Sequence, residues 1–397
     1  MASFEVKFSK LYTDLEAQCN GRNEPLVIKV KKKRTNSTAQ ENKIFFKLIK
    51  TLRENYNFKF FKHNLELIND VNISINGISL IWMAVTNNRK EAVTLLLKKG
   101  ADPNYTSKEF QFPPLFVAID CNYNNIIDIL LGNPRTKLNA SDKFGRSILM
   151  ISIYRRKTHI VDKIIEYIST LEHSAQKKII NKKNNKQNSV LYLLIESGID
   201  THYLQKMLEF KDKHNMPLLD INVKNIYSTT PLHNAVDKNN YQATDILINN
   251  GANLDILNSE GFSSLHIAII RNNKSIVQLL LQKGLNINIL DRDSRTALHL
   301  SMEEPVDKQI VRLLLSHGIE AGIKTNFNIN GVDKSYTALM LLCYCFRNME
   351  KIDVLLEFSK KKDIKDLQAA KEIALGNGEQ EIVSKIDTKI KEFESSD

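Results

Sequence analysis

The sequence predicts an all-α solenoid in which helix-turn-helix units stack on one another and are joined by β-hairpin-like fingers. Two observations predict it: one motif returns after a fixed number of residues, and short amphipathic helix patterns recur behind each copy. Of the 397 residues, 42% are hydrophobic and 25% are charged, which is typical of a folded domain and excludes wholesale disorder. No run approaches the roughly 18 apolar residues that would cross a bilayer.

The motif is clearest in the second half of the chain, at residues 230–235 (TPLHNA), 263–268 (SSLHIA) and 296–301 (TALHLS). Each copy has leucine at its third position, which places these residues 33 apart: Leu232, Leu265 and Leu298. An apolar helical pattern follows each copy and ends near a glycine, at Gly251, Gly284 and Gly318. A recurrence at this interval indicates a repeated structural unit.

Weaker copies extend the array in both directions. Apolar residues occupy the leucine position at Ile81, Leu115, Leu149, Leu191 and Leu339. The intervals are 34, 34, 42 and 41 residues up to Leu232, and 41 residues from Leu298 to Leu339. The longer intervals predict enlarged repeats near residues 170–225 and 320–336.

This pattern strongly resembles the ankyrin repeat, a turn followed by two helices, and implies about eight or nine copies. Thr or Ser opens the first helix by accepting a hydrogen bond from an otherwise unpaired amide. Pro231 suits the first helical position, where no hydrogen bond is lost, and glycine takes the left-handed conformation that ends the second helix. One unit cannot bury its apolar face alone, so the resemblance implies a continuous stack.

The motif histidines His233, His266 and His299 form a column at the same interval of 33 residues. The resemblance implies that each one ties neighbouring turns together by hydrogen bonding. In the weaker copies Trp82, Phe116, Met150, Tyr192 and Met340 replace the histidine. We therefore interpret the column as structural and expect no metal there.

The sequence shows no pattern of residues that predicts catalysis. Phosphate-binding, metalloprotease, hydrolase and kinase motifs are missing. The spacing of the four cysteines (Cys19, Cys121, Cys343 and Cys345) matches neither a metal site nor a disulfide framework. We expect a non-enzymatic protein that needs no cofactor.

We predict four segments: a basic N-terminal segment (1–43), a helical N-terminal cap (44–76), the repeat array (77–388) and a charged C-terminal tail (389–397). The basic segment contains a cluster that fits a nuclear-import signal, an anion-binding arm or a solvated tail: Lys29, Lys31, Lys32, Lys33 and Arg34. A second lysine-rich stretch, residues 177–186, reads as a polar loop of the enlarged repeat.

In the ankyrin family, fingers and first helices line a concave groove that binds partners. Aromatic side chains beside arginines are typical of binding hot spots, although fingertip aromatics also pack on the next finger. Carried over by position, the candidate partner-binding residues are Phe144, Arg146, Tyr154, Arg155, Arg156, Tyr227, Phe262, Arg271, Arg292 and Arg295.

These features favour a protein-interaction scaffold or adaptor, and the roles left open include a regulator and a host-directed effector. The formal net charge of +11 favours a partner that is acidic or mixed in charge. The alternative is binding of nucleic acid or an anionic membrane through the basic arm and the lysine-rich loop, which would weaken as salt rises. The first residues lack the apolar core of a secretory signal, so cytoplasm or nucleus is the expected location, with secretion into a host cell left open.

Overall fold

Paired α-helices make up most of the structure, a computed structural model that describes residues 39–54, 56–75, 78–106, 112–329 and 332–395. The chain divides into two units, residues 1–185 and 186–397. Each unit is built from successive helix pairs, and in eight of these pairs the first helix follows a residue with extended backbone. At Ser79, Ser147 and Ser189 the serine hydroxyl accepts a hydrogen bond from an amide in the first turn, as predicted.

The first unit contains α1 (Ala39–Arg53), α2 (Phe58–Leu65), β1 (Ser74–Ile75), β2 (Ile78–Ser79), α3 (Leu80–Thr86), α4 (Lys90–Lys98), α5 (Pro114–Asp120), α6 (Asn124–Leu131), α7 (Ile148–Tyr154), α8 (Thr158–Ser169) and α9 (His173–Ile180). β1 and β2 pair antiparallel, with Ile75 opposite Ile78. First helices α1, α3, α5 and α7 pack in sequence, and second helices α2, α4 and α6 pack beside them.

The second unit contains α10 (Val190–Ser197), α11 (His202–Leu208), α12 (Pro231–Asp237), α13 (Tyr241–Asn249), α14 (Ser264–Ile270), α15 (Lys274–Leu281), α16 (Ala297–Leu300), α17 (Lys308–Ser316), β3 (Thr325–Ile329), β4 (Val332–Tyr336), α18 (Ala338–Leu341), α19 (Met349–Phe358), α20 (Ile364–Gly376) and α21 (Gln380–Glu394). A π-helical turn, Leu342–Phe346, extends α18. First helices α10, α12, α14, α16, α18 and α20 pack in sequence, with the second helices beside them.

The motif leucines lie in the core of this stack. Leu232, Leu265 and Leu298 are 1%, 2% and 1% exposed, and each sits on a first helix that packs against the next first helix. Burial of an apolar face against a neighbouring copy is what a repeat unit needs in order to fold. The predicted all-α repeat fold, with about eight or nine copies, is confirmed.

The histidine column is structural, as predicted. The backbone N–H and the hydroxyl of Thr230 lie 3.2 and 2.7 Å from His233 Nδ1. Since Nδ1 accepts from the amide, the ring proton lies on Nε2, which donates to the Phe262 carbonyl of the next finger at 3.1 Å. His299 Nε2 contacts the Tyr336 carbonyl at 3.3 Å in the same way. Trp82 substitutes for histidine in the first unit, donating from Nε1 to the Phe112 carbonyl.

Each longer interval contains an identifiable insertion. Helix α9 accounts for the first, and a turn at residues 210–218, in which Lys211 pairs with Pro217, accounts for the second. The β3–β4 hairpin, with Thr325 opposite Tyr336, accounts for the third. The expectation of a loop throughout residues 177–186 is wrong, because Lys177 and Lys178 lie in α9. That helix forms because Gln176, Ile179 and Ile180 are buried on one side of it.

Both ends of the array differ from the expected boundaries. Helix α1 begins at Ala39, ahead of the predicted cap, and buries Phe45, Leu48 and Leu52. Helix α21 continues to Glu394, so a charged tail starting at residue 389 is a wrong boundary. The reason is that Ile390 continues the buried stripe of this helix, which a count of charged residues does not reveal.

A second set of polar contacts joins the loops that follow the second helices. In the second unit, Asn222, Asp255 and Asn288 accept the backbone N–H of Asn253, Asn286 and Glu320 at 2.8–3.0 Å. In the first unit Asn72 and Asn104 do the same, for Asp102 and Lys137, at 2.7 Å. We call this set the loop ladder, and it supplies hydrogen bonds between copies outside the apolar core.

We expect Asn288→Ala to lower the free energy of unfolding by about 1 kcal/mol, since it removes a hydrogen bond between neighbouring copies. Urea unfolding followed by circular dichroism measures this. Asn250→Ala is the matched control, because the Asn250 side chain bonds to Ile246 of its own helix, and we expect its effect to stay within about 0.5 kcal/mol. Equal losses for the two variants would contradict a role of the loop ladder in stacking.

Candidate protein-binding surface

The fingers are held by one acidic or amide side chain each, which sequence reasoning missed. Asp142 Oδ1 accepts the backbone N–H groups of Phe144 and Arg146, both at 2.9 Å. The same turn is built in the second unit by Asn225, Asn258 and Asp291. In all four fingers this residue lies five positions before the Ser or Thr that caps the next helix. That spacing is a signal that could have identified it.

In the first unit the predicted residues Phe144, Arg146, Tyr154 and Arg155 come together. The Arg146 guanidinium carbon lies 5.0 Å from the Phe144 ring centroid and 5.8 Å from that of Tyr154. The Arg155 guanidinium carbon lies 5.8 Å from the Tyr154 centroid. A cation that lies over an aromatic face at such a distance is attracted to the ring.

Two further residues extend this row. Lys143 Nζ lies 5.2 Å from the Phe144 centroid and 5.7 Å from the Phe112 centroid. Aromatic and cationic groups therefore alternate along the surface, and we call this row the aromatic–cation ladder: Phe112, Lys143, Phe144, Arg146, Tyr154 and Arg155. Sequence reasoning identified four of its six members.

Both arginines of the ladder also carry an ion pair. Arg146 Nε lies 2.7 Å from Asp142 Oδ2, and the Asp142 side chain is fully buried. Arg155 Nε lies 2.8 Å from Asp120 Oδ1, and burial lowers the pKa of the Arg155 guanidinium from its ordinary value. These contacts fix the arginines in place. Tyr154, 59% exposed, and Arg156, which follows the ladder, face solvent.

In the second unit the predicted residues lie on successive fingers. Tyr227 is 56% exposed, and its carbonyl accepts the N–H of Ser259 on the next finger. Arg292 donates in turn to the Ser259 carbonyl. Phe262 is half-buried beside the His266 ring, and no ring contact joins it to Tyr227 within the described part of this unit. Tyr227 is thus the aromatic side chain of this set that presents most surface.

Two of the three predicted arginines in the second unit form intramolecular ion pairs. Arg295 Nε lies 2.9 Å from Asp291 Oδ2, which is buried, so Arg295 repeats the role of Arg146 in its finger. Arg271 donates to Asp237 at 2.6 and 2.9 Å. Lys238 lies 3.2 Å from Glu196 in the same row of first-helix ends. This surface is therefore mixed in charge.

The basic cluster of Lys29, Lys31, Lys32, Lys33 and Arg34 lies outside the described residues. Within the ranges the structure describes, no helix is both long and apolar enough to cross a bilayer, and no three His, Cys, Asp or Glu residues converge as a metal site would require. Cys343 and Cys345 are free thiols.

Comparisons with known proteins agree with the geometry. The family model for ankyrin repeats matches residues 46–142, 205–291 and 232–326. An ANK repeat-containing protein of Caenorhabditis elegans is 28% identical over 200 residues, which are 48% of this chain and 30% of that protein. An ankyrin repeat protein of variola virus is 26% identical over 224 residues, 56% of this chain and 36% of that protein.

The chain thus spans about a third of the length of these two relatives. The ankyrin repeat domain of Bcl-3 aligns with a TM-score of 0.46 and 20% identity, covering 70% of this chain and 99% of that domain. The family match covers more than half of the chain, and stacked helix pairs, histidine ties and finger turns accompany it. The chain belongs to the ankyrin-repeat family.

Proposed function

We propose that this protein is a non-catalytic adaptor that binds a partner protein through the surface formed by its fingers and first-helix ends, the concave groove of the ankyrin fold. Ankyrin repeats generally serve as protein-interaction modules. The observation that favours this surface is the exposure of Tyr154 beside Arg146 and Arg155, which carboxylates hold in place, together with the exposure of Tyr227 on a finger of the second unit. Rigid aromatic anchors next to arginine are the usual centre of a binding hot spot.

A capture experiment with three proteins tests the proposal. Wild type is compared with the double variant Tyr154→Ser/Tyr227→Ser, and with Phe60→Ser as the control. Phe60 is 39% exposed in the middle of the second helix α2, so it belongs neither to a finger nor to a first-helix end. We expect saturable partners of wild type to lose roughly tenfold or more in affinity for the double variant and to bind the control unchanged.

Two results would contradict this function. One is a loss of partner affinity in the control as large as that in the double variant, because the binding surface would then lie elsewhere. The other is the absence of any saturable protein partner.

A further inference from the structure

The insertion in the first unit packs against the finger that carries the aromatic–cation ladder. Asn185, in the loop after α9, donates its backbone N–H to the Phe144 carbonyl at 2.9 Å. Its side-chain amide donates to the Lys143 carbonyl at 3.1 Å, and Lys182 donates to the Asn139 carbonyl beside the finger. We call residues 181–185 the brace.

The fit between the brace and the finger is close. Gly145, at the finger tip, has φ +72°, and a Cβ there would clash with Asn185 Oδ1 and lie 2.9 Å from the Asn185 backbone nitrogen. Glycine is therefore needed for both the left-handed turn and the contact. The brace immobilises the finger, and a docking surface that is ordered in advance loses less entropy on binding.

The charge around this finger is positive. Lys143 and Lys183 are exposed, and Arg156 is exposed at the end of α7. The carboxylates nearby, Asp142 and Asp120, are paired with Arg146 and Arg155. Among the residues described in this unit, the cations on the finger and brace therefore exceed the acidic groups that face them. A surface of this kind attracts a negatively charged partner.

The ring geometry favours a peptide over a single-stranded nucleic acid. Non-specific strand binding relies on aromatic faces on which bases stack. Here Phe144 has two cations within 5.2 Å of its centroid and Tyr154 has two within 5.8 Å. The rings thus orient the cations, and the N–H groups of those cations are suited to carboxylates.

We propose that the aromatic–cation ladder, held by the Asn185 brace, is a docking site for an acidic peptide segment of a partner protein. This rests on the proposed adaptor function and adds the chemistry of the partner and the part played by the insertion. Asn185 is a positioning residue, since it acts through the finger and does not need to touch the peptide.

Selection from a random peptide library displayed on phage tests the proposal with the full chain. We expect retained peptides to be enriched in Asp and Glu, and their affinity to fall roughly tenfold or more for Lys143→Glu/Lys183→Glu. Lys62→Glu/Lys98→Glu is the matched control, because it changes the net charge equally at exposed positions on the second helices, and we expect no loss.

Neutral or basic selected peptides, or equal loss in both double variants, would overturn the proposal. So would displacement of the selected peptides by oligothymidylate at equal or lower concentration, which would assign the surface to nucleic acid. If capture of a protein partner depends on Tyr154 and Tyr227 while the peptides are not acidic, the acidic-peptide inference is wrong but the adaptor function stands. If neither proteins nor peptides are retained, the adaptor function itself fails.

Asn185→Ala tests the brace. We expect the selected peptides to bind several-fold more weakly at an unchanged thermal unfolding midpoint, since the variant loosens the finger without opening the core. Unchanged affinity would show that the brace does not contribute to peptide binding.

Discussion

Replacing Leu265 by Ala is expected to lower the free energy of unfolding by about 2–5 kcal/mol, the usual cost of removing a buried leucine and leaving a cavity. Leu265 is 2% exposed on α14, which packs against both α12 and α16. A cavity there weakens the contacts to the preceding and the following copy together. Urea unfolding followed by circular dichroism measures the loss.

Leu290→Ala is the matched control for this substitution. The chemistry is the same, but Leu290 is 43% exposed beside the finger that begins at Asp291, so we expect a loss of about 0.5 kcal/mol or less. If both variants lost the same free energy, the apolar contact between successive first helices would not be what stabilises the array.

Acidification is expected to destabilise the protein well before its carboxylates become protonated. Burial lowers the pKa of His233 and of His266 to about 4, from an ordinary value of 6.5. Between these two values the unfolded chain binds protons that the folded chain does not. Stability is therefore highest above about pH 6.5 and falls as the pH drops towards 4, by about 1.4 kcal/mol per pH unit for each histidine.

The double variant His233→Gln/His266→Gln isolates this effect. Glutamine keeps a side-chain amide but does not titrate, so we expect the free energy of unfolding to change much less between pH 6.5 and pH 5. Equilibrium urea unfolding at a series of pH values makes the comparison. A variant with the same pH slope as wild type would show that these two histidines are not buried as neutral groups.

The repeat fold was predictable because its determinants are local and periodic. Leu232, Leu265 and Leu298 recur at the interval at which the copies pack, and each Ser or Thr cap sits directly before its helix. The role of His233 was also predictable, since it bonds to its own cap and to the next finger. Such contacts repeat with the sequence.

The candidate surface was predictable only in part. Arg155 pairs with Asp120 of the preceding copy, at an interval close to that of the repeat, but Asn185 reaches back to Phe144 from an insertion, and no period relates those two residues. Sequence reasoning selected Arg146 and Arg295 as partner-binding candidates, whereas both are engaged by the buried carboxylates Asp142 and Asp291. Their role in binding a partner remains a prediction. Helix α9 was missed because its burial depends on a neighbour, α8.

We infer that successive copies are tied together through a buried, neutral histidine on each of the helices α12, α14 and α16. Nitrogen–proton correlation spectra of the histidine-labelled protein across a pH titration test it most directly. We expect His233, His266 and His299 to be neutral at pH 7 with the proton on Nε2, and His233 and His266 not to titrate until the pH approaches 4. Imidazoles that carry the proton on Nδ1, or that titrate near 6.5 as exposed histidines do, would contradict it.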